Sequence, residues 1–318
     1  MIYAFDFDGV IADSAKGSAF FSHRAWKRLG NKNAPPVKSI EKHRPYISTA
    51  KDNYGLLFLL SNNMKVTRAA VRKVAEENPE KAKIMSDTFF DEKEKFIKTD
   101  KEKFCRLYGP FRFIVPIMQR LSRKETVYIV TSNKKSQVID ILCRSKIAVK
   151  PENILDSTIS KNKSDLIKIV ARREKVSTFD IMFVEDSIDH IKEVIPTGVN
   201  AALASWGFVL KEDIKEAKKL GIKVLDKKNL ITTLNAENTE YFDVIDKSNK
   251  VIGKAPRDEC HRKGLLHRSV HIMILNRKVN SSCRNEAKRR TCIQAGGHHQ
   301  QADMLPAAIV MARAHTGN

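Results

Sequence analysis

Two carboxylates one residue apart, Asp6 and Asp8, follow directly on the apolar run Ile2-Tyr3-Ala4-Phe5 and precede Gly9. Residues two apart on an extended chain share a face. Like charges held that close call for a cation or a shared proton, and Gly9 permits a sharp turn. Two more polar clusters stand at comparable places, Thr131-Ser132-Asn133 after TVYIV and Glu185-Asp186 after IMFV, and Lys161 and Lys163 lie in SKNKSDLI just before a helical stretch. Phosphoryl transfer needs a nucleophile, a proton donor for the leaving oxygen and positive charge around the phosphate. Asp6 could attack phosphorus, and Asp8 could protonate the leaving alcohol and later activate water. Glu185 and Asp186, with Asp6 and Asp8, could hold Mg²⁺, a cation that prefers oxygen ligands. Thr131, Ser132, Asn133 and the turn at Gly9 could bind phosphate oxygens, and Lys163, or Lys161 beside it, could neutralise charge. Each stretch alone has a structural alternative. Asp6 and Asp8 could be solvated acids at a strand end, Thr131-Ser132-Asn133 are helix-capping types, and Glu185-Asp186 suit a helix first turn.

These residues need a scaffold. The runs YAF, TVYIV, IMFVED and NAALASWGF read as strands, and the segments between them carry helical periodicity. Strands alternating with helices predict an α/β fold, a doubly wound, Rossmann-like parallel sheet. Such sheets bind ligands beyond the carboxyl ends of their strands, where Asp6, Thr131 and Glu185-Asp186 all fall. From about 14 to 107 the pattern is helical and charge-laced, broken at Pro35-Pro36 and Pro79. That stretch reads as a helical insertion within residues 1–234. SWGF reads as core and turn.

YAFDFDGVIADS, VYIVTSN and FVEDSIDHI, in this order, resemble the motifs of the haloacid dehalogenase superfamily of phosphatases, closest in layout to phosphoglycolate-phosphatase-like members. The resemblance spans residues 1 to about 234. It implies Asp6 as nucleophile, Asp8 as acid/base, Thr131 as phosphate binder, Lys163 as the phosphate lysine, and Glu185 and Asp186 as metal ligands. It also implies a cap that selects the substrate and excludes water. Many relatives carry an acid four residues after the position of Asp186; this chain has His190 there and Asp189 one place earlier.

A polar linker, 235–239, precedes a second stretch. YFDVID and VHIMILN read as strands with KSNKVIG as a hairpin turn. Residues 240–276 are similar to the start of Nudix hydrolases near the isopentenyl-diphosphate isomerase branch, an incomplete α+β fragment. The glutamate-bearing Nudix box is absent, so no Nudix catalysis is expected. His261 and His267 depart from the isomerase metal spacing and read as satisfied or solvated histidines. From Arg277 strand alternation fails. Read one base earlier from codon 278, the genetic code permits GGW, GGHV and G-x5-D-x7-RE, half a Nudix box with Asp for Glu. A one-base deletion there is the expectation, with 277–318 an out-of-frame, poorly ordered tail.

Composition bounds the rest. The 318 residues are 42% hydrophobic with a net charge of +21, enough for two domains with sizeable cores. The positive charge is interleaved with acids, as in DEKEKFIKTDKEKF, which fits solvated helix faces better than a nucleic-acid stripe. Tail residues add to it: Arg277, Lys278, Arg284, Lys288, Arg289, Arg290 and Arg313 against Glu286 and Asp303. Five scattered cysteines without a CxxC pair fit a reducing cytoplasm. No apolar run has the length of a membrane span. A small phosphorylated metabolite is the expected partner. The competing readings are a phosphomutase of the same superfamily and a basic nucleic-acid-binding or scaffold protein with a vestigial pocket.

Overall fold

A computed structural model describes residues 2–230, 241–256, 259–260, 263–272 and 310–315. Contacts divide the chain into two units, residues 1–234 and 235–318.

The first unit is built on β1 (Ile2–Phe5), apolar and buried along its whole length. It is followed by six helices of the insertion: α1 (Ala15–Arg28), α2 (Val37–Lys42), α3 (Asp52–Ser61), α4 (Arg68–Glu77), α5 (Pro79–Thr99) and α6 (Lys101–Leu107). Then come α7 (Ile114–Lys124), β2 (Thr126–Val130), α8 (Lys135–Arg144), β3 (Ile154–Leu155), α9 (Lys163–Glu174) and β4 (Ile181–Glu185). The unit's described part closes with α10 (Ile188–Val194), β5 (Asn200–Ala204), α11 (Lys211–Lys219) and β6 (Lys223–Leu225). The strands form one six-stranded sheet in the order β3-β2-β1-β4-β5-β6, every pairing parallel.

Period-two alternation sorts the side chains onto two faces. Tyr3, Phe5, Val127, Ile129, Met182 and Val184 join α7, α8 and the insertion in one cluster. Ile2, Ala4, Tyr128, Val130, Ile181 and Phe183 pack on Leu166, Ile167 and Val170 of α9 in another. A parallel sheet covered on both faces is the doubly wound arrangement. In register, Phe5 stands beside Ile129 of β2 and Val184 of β4. Asp6, Thr131 and Glu185-Asp186 therefore leave the sheet side by side.

The insertion is more finely broken than its sequence suggests. YGLLFLLSNNMKVTRAAVRKVAEEN is two helices, because Asn63 takes a left-handed conformation (φ 53°) and the Thr67 side chain caps α4. Gly55 lets them touch, since a Cβ there would lie 2.1 Å from the Val71 carbonyl oxygen. Asp100 likewise divides α5 from α6 by accepting from the Lys103 amide at 2.9 Å. Two-residue β3 has no counterpart in the sequence reading, being too short for a periodic signal.

The second unit holds β7 (Tyr241–Ile245), β8 (Val251–Pro256), β9 (His267–Ile272) and β10 (Val310–His315), an antiparallel sheet ordered β10-β9-β7-β8. The hairpin turn is shorter than expected: Val251–Gly253 belong to β8, because Asp246 closes the turn by accepting from the Ser248 and Lys250 amides. Val310–His315 pairs antiparallel with β9, from Val310 opposite Ile272 to His315 opposite His267. The His267 ring stacks on Phe242 at 4.7 Å, with Nδ1 2.8 Å from the Leu265 carbonyl oxygen. His261 and most of 277–318 lie outside the described residues. No helix among the described residues is long and apolar enough to cross a membrane.

Candidate active site

The parallel register determines the site's centre. Asp6 continues β1, its amide donating to the Val184 carbonyl at 2.9 Å. Glu185 ends β4 fully buried, its Oε1 accepting from the Asp186 and Ser187 amides at 3.0 and 2.9 Å. Lys163 opens α9, which Asn162 caps through the Asp165 amide at 3.2 Å. The buried Lys163 Nζ donates to Asp6 Oδ1 at 2.7 Å and to Glu185 Oε2. Lys161 lines the same cavity, but it is Lys163 that reaches Asp6 and Glu185.

Asp6, Glu185 and Asp186 each offer an oxygen within 4.8 Å of the others, all three residues being buried. Three acids against one touching ammonium leave excess negative charge. Burial, and then Glu185, push the Asp6 carboxyl up to about 7. Burial and the same neighbour raise Asp186 well above the usual carboxylate range. Glu185 is held low by Lys163 and His190 against its own burial. His190 Nδ1 lies 3.4 Å from Glu185 Oε2 but makes no aligned hydrogen bond. A buried, oxygen-only donor set with surplus charge fits a hard divalent cation. Asp189 stands apart from this cluster and pairs instead with Arg72 of α4.

Asp8 faces the same rim from the turn after β1. Its Oδ2 accepts from Asn133 Nδ2 at 2.5 Å, while its buried Oδ1 has no partner among the described residues. Asn133 in turn donates its amide to Thr131 Oγ1 at 3.1 Å. Gly9 sits at φ +78°, and a Cβ there would lie 1.9 Å from Asp186 Oδ2. Both facts restrict the position to glycine.

Five contributors were not assigned to the site by sequence. The Phe208 amide donates to Asp186 Oδ2 at 2.7 Å, and a Cβ on Gly207 would lie 2.4 Å from the Asp186 Cβ. SWGF is thus a wall of the site as well as core and turn, and Trp206 Nε1 holds the Val10 carbonyl at 3.0 Å. Arg44, from the insertion, lies 4.5 Å over the Phe208 ring. Lys93 of α5 is 4% exposed and donates to Asn133 Oδ1 at 3.0 Å. Its ammonium pKa is pushed down to about 8 by burial, so it remains mostly protonated at pH 7. Nothing in DEKEKFIK distinguishes Lys93 from its charged neighbours; glycine beside aromatics in SWGF was the available signal for Trp206, Gly207 and Phe208.

A cavity of about 380 Å³ joins Asp6, Asp8, Thr131, Ser132, Asn133 and Lys163 to insertion residues including Arg44, Arg68 and Lys93. The insertion roofs the rim where the acids converge. Such a site can bind an anion and hold a divalent cation.

Comparison with known proteins agrees with the fold. No curated protein matches the chain. Among solved structures, it resembles a haloacid dehalogenase-like family hydrolase from Streptococcus pneumoniae, with a TM-score of 0.51 and 17% identity over 74% of this chain and 97% of that one. It resembles a predicted phosphatase from Clostridium acetobutylicum with a TM-score of 0.53 and 16% identity, covering 74% of this chain and 98% of the other. A predicted phosphoglycolate phosphatase from Haemophilus somnus has a TM-score of 0.53 and 14% identity over 73% and 97% of the two chains. The family model for haloacid dehalogenase-like hydrolases matches residues 3–204. The chain belongs to the haloacid dehalogenase-like hydrolase family.

Proposed function

We propose that the chain is a Mg²⁺-dependent phosphatase acting on a small phosphate monoester through an aspartyl-phosphate on Asp6. The observation that supports this most is the Lys163 ammonium bridging Asp6 Oδ1 and Glu185, with Asp8 on the same rim. In the first step an Asp6 carboxylate oxygen attacks phosphorus and the ester P–O bond breaks. Asp8 gives its proton to the departing alkoxide. In the second step Asp8 takes a proton from water, the oxygen attacks phosphorus, and inorganic phosphate leaves Asp6. Lys163, the Thr131 hydroxyl and the Ser132 and Asn133 segment hold the phosphoryl oxygens. Asp6, Glu185 and Asp186 are the residues that would hold Mg²⁺, with Asp8 at their edge. Bound there, the cation supplies charge neutralisation for the transferring phosphoryl group. The roof of insertion helices keeps water from competing before the ester has left.

A cavity of about 380 Å³ favours small esters, and the name carried by the Haemophilus neighbour makes 2-phosphoglycolate the first ester to test. Phosphate release from a panel of small esters, with and without Mg²⁺, checks the reading. Turnover that disappears in Asp6→Asn is the expected result. For residues 240–276 we propose a Nudix-like fragment without catalysis, followed by out-of-frame residues from near codon 278. The gene's DNA decides this: codons that cannot encode a Nudix continuation in the shifted frame would contradict it.

A further inference from the structure

Lys93 belongs to the insertion, yet it reaches the loop after β2. Its ammonium sits 4.6 Å over the Tyr108 ring and 5.6 Å over the Phe104 ring, and donates to Asn133 Oδ1 at 3.0 Å. Among the described residues Lys93 forms no ion pair. A buried cation with no carboxylate against it is costly, so its position calls for a role.

An ammonium donates and never accepts. Lys93 therefore determines which way the Asn133 amide points: Oδ1 towards the ammonium and Nδ2 towards Asp8. Asn133 Nδ2 then donates to Asp8 Oδ2 at 2.5 Å. An oxygen that accepts this hydrogen bond is a poor place for a carboxyl proton. The proton of the acid form is left to Oδ1, the buried oxygen without a protein partner. Without Lys93 the amide can turn over, accept a proton from Asp8 Oδ2 and hold it away from the substrate.

We infer that Lys93 is a positioning residue for Asp8, acting through Asn133 so that the acid's proton sits on Oδ1 only while the cap is seated on the core. This rests on the reading of Asp8 as the general acid. It makes proton donation conditional on α5 being in place, and ties the acid's competence to closure of the cap.

The test exploits leaving-group chemistry. A nitrophenolate departs without protonation, whereas the alkoxide of glycerol needs a proton. Values of kcat/KM would be measured for p-nitrophenyl phosphate and glycerol 2-phosphate with the full chain and three variants. Lys93→Met is expected to lose about tenfold or more on the alkyl ester, and less than about threefold on the aryl ester. Lys93→Arg, which keeps a donor-only group, is expected to recover most of the alkyl activity. Asp8→Asn should show the same asymmetry more strongly. If Asp8→Asn is asymmetric and Lys93→Met loses equally on both esters, the positioning role is overturned while the acid assignment stands. An Asp8→Asn variant with no asymmetry would remove the acid assignment and the positioning role with it.

Discussion

Gly9 connects the two acids of the opening motif to the rest of the site. Its positive φ and the 1.9 Å that would separate a Cβ from Asp186 Oδ2 are independent constraints. Gly9→Ala is therefore expected to destabilise by more than about 1 kcal/mol and to displace Asp186, which thermal melts with and without Mg²⁺ would read. Asp186→Asn tests the cation site directly. Binding to the folded state alone raises the melting temperature, so the parent chain should gain stability on adding Mg²⁺ and lose it with a chelator. The variant should gain little. Lys93 provides a pH test. Its folded pKa of about 8 lies below the ordinary 10.5. Between these values the unfolded chain binds more protons, so this residue's contribution to stability rises with pH. Lys93→Met removes the buried charge and should be more stable than the parent at pH 7, by up to about 3 kcal/mol. That advantage should shrink from pH 8 towards 10. Chemical denaturation of both proteins across this range measures it. At this scale Asp6, Asp8, Gly9, Thr131, Glu185 and Asp186 were legible because strand ends expose them in a recognisable order. Lys93 and Arg44 were not, because the burial of Lys93 and the placing of Arg44 over Phe208, rather than residue type, set them apart from the other cations.

The parallel strands were the most legible elements, since TVYIV and IMFV carry apolar runs with turn signals on either side. Helices of the insertion were legible as helices but not in their breaks, which rest on single residues such as Asn63, Thr67 and Asp100. The contacts that seat the insertion on the core were not legible, because they join residues far apart in sequence. Arg68 of α4 holds Asp213 of α11 through Nη1 and Nη2, at 2.5 and 2.8 Å. The Asp213 side chain is 3% exposed and also accepts from the Leu210 amide at 2.8 Å. Removing Asp213 leaves a partly buried guanidinium without its carboxylate, so Asp213→Ala is expected to cost about 2 kcal/mol in urea unfolding. Lys101–Asp140, at 2.7 Å, is exposed at its lysine, and breaking it should cost under about 1 kcal/mol.

At the scale of the whole molecule, every residue of the candidate site belongs to the unit 1–234. The parallel sheet of that unit was legible in strand–helix alternation. The second sheet was legible only in part: β7 and β9 were read from their apolar alternation, whereas β8 was taken for turn and β10 falls in a stretch whose overall pattern lacks it. The net charge of +21 did not point to the site, whose chemistry depends on a few buried carboxylates. The most direct measurement is phosphate release by the full chain with Mg²⁺ from 2-phosphoglycolate and other small esters, run beside Asp6→Asn. The account predicts turnover that needs Mg²⁺ and is lost in the variant. Release that persists unchanged in Asp6→Asn, or no release from any ester by a folded chain that binds Mg²⁺, would contradict it.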